Sequence, residues 1–565
     1  MKLKISCCLL LLLAGFAAAQ DFNSIQLEHT AYDIIEIGVI RGIIHPLPSV
    51  KPWPRHIVVQ RLHEMMNDSM RRLSAGEIEI ISAILDSFEH NSGLDLRNGR
   101  YKAEGTKANN FIFETGINWN YGFSSDILGL CNYKKEQEYS NAAVASYNMA
   151  GFYAGGNLSS FCSWNFSAQG GLLFIGINEN GVYHSFPYAF GKQWDSGVLS
   201  LQYSRDYSAW PSSPSLAYGL DGEITIIADR FLFRAGRLRH EWGMQSSGSS
   251  LFINAQGRPF AAIESVASPL PWLNLNVLFG ALEYYREKEQ WPAPGPFSNY
   301  LSAVQAEINP LDFLYFCLGG TVLMKNTINS AFFSGLELRL PGLAKIWGSL
   351  FVNSLDFASE SFYVMNTNQY AFQAGLKATV RWLPFASFSF RYTKIEPYCY
   401  TGDSDVYNGE QIPSSAFMSG GESLGYYLPP NSDEFLLRLE SGFAAGAKTW
   451  LQYQMIRHGA DYGYGAVPGS SLRDKLTAPD SFKYFLTDGV YRWDHLIKLG
   501  ASLSLRNGII PLAIFAEAGL AARRFTINGT AGIGNEAEYE SLDDPVYRAA
   551  NGLIFSIGFK LFSVD

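Results

Sequence analysis

The chain has 565 residues, 47% of them hydrophobic and 17% charged, with 52 acidic against 43 basic side chains and a net charge of −9. An acidic balance without clustered Lys and Arg excludes a nucleic-acid binder, which must neutralise phosphates. Beyond the first 19 residues no stretch approaches the ~18 uninterrupted apolar residues of a spanning helix, so a helical membrane bundle is excluded as well.

Met1 to Ala19 has the pattern of an export signal: Lys2 and Lys4, an apolar run from Ile5 to Phe16, then Ala17-Ala18-Ala19 as a cleavage site. Cys7 and Cys8 fall too early in that run for a lipid-modified cysteine. Residues 20–95 form a helical module. Ala31 to Ile40 predicts a short helix capped at Arg41-Gly42. A turn rich in proline follows (Pro46, Pro48, Pro52, Pro54), and a second helix starts near Pro54 with Ile57, Val58 and Leu62 inward. Ser74 and Glu77 make a capping box for a third helix, with Ile78, Ile81, Leu85 and Phe88 at helical spacing. Three helices alone are a marginal core, so the module is expected to lean on something larger.

From about Asn110 the period changes to 2. Phe372, Ala374, Leu376, Ala378 and Val380 alternate with Gln373, Gly375, Lys377, Thr379 and Arg381, and similar patterns recur to the end of the chain. Nineteen candidate segments result, among them 197–206, 222–228 and 249–266. Because bacterial single-chain barrels have even counts, about 18 strands are expected, with 222–228 the weakest candidate. In 550–562, Leu553, Phe555, Ile557, Phe559 and Leu561 share one face, as a strand that faces lipid and pairs with the first to remove the edge. The aromatic content of 15% suits belts at two membrane interfaces. The fold class is thus an all-β antiparallel transmembrane barrel over 105–565, preceded by a small periplasmic three-helix module, in the cell outer membrane.

Tight turns are predicted at Asp229-Arg230, Pro310-Leu311, Leu383-Pro384 and Ala444-Ala445, and long outer loops at 394–432, 457–494 and 523–549. The first of these loops carries Asp403, Asp405, Glu410 and Glu422 beside Tyr398, Tyr400, Tyr407, Phe417, Tyr426 and Tyr427. It is either an ordinary solvated loop or one that stacks on sugars or coordinates cations. Cys131, Cys162, Cys317 and Cys399 are too dispersed for a zinc cluster and leave room for one or two bridges.

Two stretches carry a family resemblance. One is AYDIIEIGVIRGII (Ala31 to Ile44), KPWPRHIVVQRL (Lys51 to Leu62) and LSAGEIEIISAILDSFE (Leu73 to Glu89). The other is FRAGRLRHEWG (Phe233 to Gly243) followed by SLFINAQGRPFAAI (Ser250 to Ile263). Together they resemble the capsule assembly Wzi family. The resemblance implies an eighteen-stranded barrel that acts as a surface lectin without chemistry, with Gly236, Arg237, Trp242, Gly243, Asn254, Ala255, Pro259 and Phe260 at its motif positions. The front module also resembles a surface-layer homology domain, whose K-P-x-x-R turn would place Lys51, Pro52 and Arg55 on cell-wall glycan.

The residues themselves leave two readings open. Arg234, Arg237, Arg239 and His240 gather cations at a strand end, to bind uronic acid carboxylates or phosphate, or to neutralise Glu and Asp inside the barrel. Trp242 is a sugar platform or a residue of the interface belt. The G-x-S-x-G match at 421–425 lacks the strand and helix of a nucleophile elbow; for hidden chemistry the places to inspect are Ser423, His458 and His495. The expectation is a barrel that retains surface polysaccharide without catalysis, cofactor or metal, with a porin-type channel or a structural anchor as rivals. Its partners are outer-membrane lipid, surface polysaccharide, the barrel assembly machinery and, through Lys51, peptidoglycan. A lumen lined by Gln373, Lys377, Arg381, Arg391, Lys498, Ser502 and Arg506 would serve lectin or channel alike.

Overall fold

The computed structural model describes residues 23–88, 93–95, 100–104, 110–126, 143–177, 199–200, 215–283, 297–354, 368–460, 467–474, 485–505, 512–528 and 550–561, apart from isolated positions and short turns within those spans. The expected leader, Cys131, Arg506 and the turn at Ala444-Ala445 lie outside the described residues.

Three helices come first: α1 (Ala31–Ile40), α2 (Arg55–Met66) and α3 (Ala75–Phe88). Ile34, Ile35 and Ile37 of α1 are buried with Val58, Leu62 and Met65 of α2 and Ile80, Ile81, Ile84 and Leu85 of α3. The capping box forms: Ser74 N–H donates to the Glu77 carboxylate at 2.8 Å, and Glu77 N–H donates to Ser74 Oγ at 3.3 Å. Gly42 takes the left-handed conformation at φ +69°, and Ile43 N–H closes on the Gly38 carbonyl at 2.9 Å. Ile78, expected inward, is instead exposed, and Ile80 and Ile84 take its place. The reason is tertiary: α3 rests on the barrel's turns, with Gly76 against Pro384 and Ile80 against Gly442.

Eighteen strands then form the wall. They are β1 (Asn110–Asp126), β2 (Ala143–Ser159), β3 (Cys162–Ile177), β4 (Ser215–Ala228), β5 (Phe231–Leu238), β6 (Phe260–Leu270), β7 (Leu273–Glu283), β8 (Phe297–Leu311) and β9 (Leu314–Met324). The second half is β10 (Ile328–Leu340), β11 (Ala344–Ser354), β12 (Gln369–Val380), β13 (Ala386–Ile395), β14 (Ser432–Phe443), β15 (Ala447–Gly459), β16 (Gly489–Leu505), β17 (Leu512–Asn528) and β18 (Ala550–Leu561). Each pairs antiparallel with the next, and β18 pairs with β1 from Leu561↔Ile117 to Gly552↔Asp126. The ring is closed, so no row of unpaired backbone groups meets hydrocarbon.

Alternation sorts the side chains. Leu275, Val277 and Phe279 of β7 are exposed while Asn276 and Leu278 are fully buried; on β18 Leu553 and Phe555 are exposed while Ile554 and Ser556 are buried. The exposed set is the surface that faces lipid. Phe231, Trp272, Phe313 and Trp382 stand exposed beside the tight turns at one end, an aromatic girdle. The helices dock at that same end, where Gly342 N–H donates to the Ile40 carbonyl at 2.8 Å. Short turns mark the periplasmic side of such barrels.

Several expectations shift. Segment 197–206 contributes only Leu199–Ser200 among the described residues, whereas 222–228, the weakest candidate, belongs to a full strand beginning at Ser215. Segment 249–266 is a strand only from Phe260; the part before it leaves the wall. The turn expected at Pro310-Leu311 falls at Asp312-Phe313, because β8 continues to Leu311. Cys162, Cys317 and Cys399 are buried free thiols.

Candidate functional site

After β5 and after β13 the chain turns inward instead of running over the surface. Trp242, Leu251, Phe252 and Ile253 from the first excursion meet Tyr400, Phe417, Leu424 and Tyr426 from the second, against Phe333 and Phe351 of the wall. Phe252 stacks on Phe333 at 4.2 Å between ring centroids, and Phe351 lies 4.8 Å from Tyr400 and 5.3 Å from Phe417. Each such burial stabilises the plug by ~1.5–3 kcal/mol. Tyr400 OH donates to the Leu251 carbonyl at 2.6 Å and Asn254 N–H to the Leu424 carbonyl at 2.8 Å, which stitches the two excursions together.

The acidic, aromatic loop is therefore neither solvated nor a sugar platform over its described part: Tyr398, Tyr400, Phe417 and Tyr426 are buried, and burial holds the Tyr400 and Tyr426 phenols well above their ordinary pKa. Glu422 accepts from Arg258 at 3.0 Å. Gly425 explains the G-x-S-x-G match: a side chain there would sit 2.6 Å from the Leu251 carbonyl and 2.7 Å from the Tyr400 ring.

Of the residues expected to bind polysaccharide, Arg234, His240 and Trp242 are inside. Arg234 donates to Ser24 Oγ at 2.6 Å, to the Pro52 carbonyl at 2.8 Å and to the Glu264 carboxylate, with Glu223 3.9 Å away. Trp242 is fully buried and its indole N–H donates to Glu264 at 2.6 Å; His240 lies 3.4 Å from the same carboxylate. Trp242 thus belongs neither to a sugar platform nor to the interface belt. Arg237 pairs with Glu283 at 2.6 Å and with Asp221, keeping part of its side chain exposed, as does Arg239.

The remaining motif positions are structural. Gly236 lets β5 approach β4, since a Cβ there would lie 2.1 Å from the Gly222 carbonyl. Gly243 carries the turn at φ +113°, and Asn254 folds the excursion by donating to the Ser250 carbonyl at 2.7 Å. Ala255 and Phe260 are buried, and Pro259 leads into β6.

The helical module closes the periplasmic mouth through ion pairs. Asp33 meets Lys448 at 2.6 Å, Glu36 meets Lys377 at 2.8 Å and also Lys345, and Lys51 meets Glu241 at 3.1 Å. Burial pushes the Glu36 carboxyl up, but the Lys345 and Lys377 ammonium groups outweigh it and hold the group well below the usual carboxylate range. Lys51 is 1% exposed, Pro52 gives its carbonyl to Arg234, and Arg55 lies over the Phe88 ring at 5.4 Å. Lys51 and the Pro52 carbonyl, the heart of the turn expected to hold cell-wall glycan, face the lumen instead.

Among the lining residues, Gln373 bridges Trp347 at 3.1 Å and Thr393 at 2.9 Å, Arg391 pairs with Glu434 at 3.3 Å, and Lys498 pairs with Glu517 at 3.2 Å. Arg381 lies instead at a turn, on the Gly342 carbonyl. Ser423, His458 and His495 do not converge. His458 points inward to Ser432 Oγ at 2.8 Å, while His495 points outward to Tyr453 OH at 3.0 Å. Among the described residues no group of three or more His, Cys, Asp or Glu could hold a metal ion.

The acidic partners Glu36, Glu223, Glu241, Glu264 and Glu434 were not singled out from sequence. A usable signal existed: a carboxylate such as Glu264 in a strand with alternate apolar residues must face the lumen, where it needs a cation.

A closed ring of eighteen antiparallel strands with an apolar exterior, an aromatic rim and a lumen entered by two excursions of the chain defines an outer-membrane β-barrel. No family model and no curated protein matches the chain. Among solved structures it is similar in fold to Wzi of Escherichia coli, an outer-membrane carbohydrate-binding β-barrel involved in group 1 capsule assembly, at 11% identity and a TM-score of 0.52 over 96% of this chain and 99% of that one. It also aligns with OprD of Pseudomonas aeruginosa (10% identity, TM-score 0.40, 80% of this chain and 95% of that one). OpdK of the same organism, solved with vanillate, aligns at 13% identity and a TM-score of 0.42, over 80% of this chain and 98% of that one.

Proposed function

We propose that this chain binds and retains polysaccharide at the cell surface without catalysis, as the resemblance to the capsule assembly Wzi family implies. The observation that carries the reading is the plugged lumen: two excursions with a common aromatic core enter it, and helices ion-paired to the wall lie across its periplasmic mouth. A barrel occupied in this way favours a scaffold for its outer surface over a conduit. The carbohydrate-binding barrel of similar fold supports the same reading. Among the described residues Arg237 and Arg239, at the loop end of β5 with side-chain surface exposed, are cations placed to meet acidic sugars.

The test is to extract the full-length protein in detergent, analyse co-purifying sugars and record planar-bilayer conductance. Retained polysaccharide, reduced several-fold in R237A/R239A, and no steady conductance are expected. Steady open-channel current with no retained glycan would establish the channel reading in its place.

A further inference from the structure

A row that holds three cations crosses the outer wall at the loop side of the apolar band. In register, Lys394 (β13), Asp433 (β14), Arg457 (β15), Trp493 (β16) and Arg524 (β17) lie side by side. Four residues nearer the turns, Phe390, Leu437, Tyr453, Ile497 and Leu520 form a parallel apolar row. Both rows share the parity of the exposed Phe388, Leu439, Leu451, Leu499 and Leu520, so both face outward.

The height of the row follows from strand geometry. Ala386 to Lys394 and Ala447 to Arg457 span ~27 and ~34 Å along their strands, or ~20 and ~26 Å along the membrane normal at a tilt of ~40°. The apolar band of such barrels is ~25 Å tall, so the row climbs from just inside its outer edge at Lys394 to that edge at Arg457, within side-chain reach of the headgroups of the outer leaflet.

Its chemistry is directional. Lys394 pairs with Glu396 at 2.5 Å, and Arg457 uses Nε and Nη2 on Asp433, a fork that leaves Nη1 outside it. Both carboxylates are buried, whereas the Lys394 and Arg457 side chains keep 24% and 20% of their surface. The carboxylates are covered and the cations keep exposed surface. Arg457 lies 4.8 Å over the Trp493 ring, and Phe485 lies 5.4 Å from Lys394, which stiffens both cations. Arg524 is exposed on the same row and reaches Asn551 at 3.0 Å. The loop-side outward positions on β8 and β10 carry Tyr300 and Ile328 instead, so the basic row does not extend to those strands.

We propose that this row binds the phosphates of an outer-leaflet glycolipid headgroup, seating the barrel in that leaflet with one preferred lipid against β13–β17. The site lies outside the barrel and is independent of any polysaccharide in the loops. The test uses native mass spectrometry of the full-length protein in detergent, titrated with a bisphosphorylated lipid A and with its enzymatically dephosphorylated form. Selective retention of the phosphorylated lipid is expected, falling about five-fold in K394Q and again in R524Q, the scale of one partly exposed charged contact. R524Q leaves the Arg457–Asp433 fork and the Lys394–Glu396 pair intact, whereas K394Q takes its cation from the buried Glu396, and heat-modifiable migration on gels confirms that each variant is folded. Equal retention of both lipids, or unchanged retention in the folded variants, overturns the proposal. Displacement by millimolar inorganic phosphate would overturn the headgroup assignment in favour of a free-anion site.

Discussion

Glu36 illustrates what one carboxylate contributes to keeping the barrel shut. It sits between Lys345 and Lys377, and Ser246 donates to it at 2.7 Å, so helix, wall and lumenal excursion all meet at this side chain. Because its pKa in the folded protein lies below the ordinary 4.5, its contribution is complete above that pH and fades as the pH falls further. We expect E36Q to cost ~1–3 kcal/mol at neutral pH, since it removes the nearest carboxylate of two buried ammonium groups and leaves Lys345 with Glu337 at 3.6 Å and Lys377 with Glu440 at 3.5 Å. We also expect the gap between wild type and E36Q, measured from unfolding midpoints across pH 3 to pH 8, to be flat at the neutral end and to narrow in acid. A gap independent of pH would remove the ion-pair account. At this scale legibility follows sequence distance. The Ser74–Glu77 box is readable because its partners are three residues apart, while Arg234 meets Glu223 and Glu264 only by strand adjacency and Ser24 only by docking of the front module.

Elements repeat the lesson with a different cause. Alternation located the lipid-facing strands, but it could not separate 249–259 from a strand, because a lumenal plug and a lipid-facing strand call for the same apolar residues. The aromatic loop after β13 posed the same ambiguity, since Tyr398, Tyr400 and Tyr426 suit a sugar-binding surface as well as a core. Tyr398 and Tyr400 even adopt φ of +61° and +69°, a conformation that costs a non-glycine residue ~1–2 kcal/mol and persists here under the constraint of packing. If the excursions are what seal the lumen, replacing 243–253 and 398–428 with short Gly-Ser linkers should raise single-channel conductance well above that of the intact chain in planar bilayers. Unaltered conductance in a heat-modifiable variant would assign the seal to the helical module alone.

At the scale of the whole molecule, the helices and the barrel are joined by charges removed from solvent. Lys51 and Glu241 are 1% and 0% exposed, and Glu36 and Lys377 are nearly as buried. Salt shortens the reach of exposed charges to ~3 Å at 1 M but screens buried pairs far less. After cleavage at a protease site inserted between residues 90 and 109, the helical fragment should therefore stay with the barrel in 1 M NaCl, as read by co-sedimentation. Release by salt would show that the contact is superficial.

The sequence by itself determined the period of each segment, and hence an antiparallel barrel of about eighteen strands behind three helices, because alternation and capping are local consequences of side-chain order. Only the tertiary structure decided which segments leave the wall to fill the lumen and which cations turn inward to carboxylates. Those outcomes depend on which strands become neighbours after the ring closes and on where the helices dock against it, which brings together residues such as Asp33 and Lys448 that lie 415 positions apart.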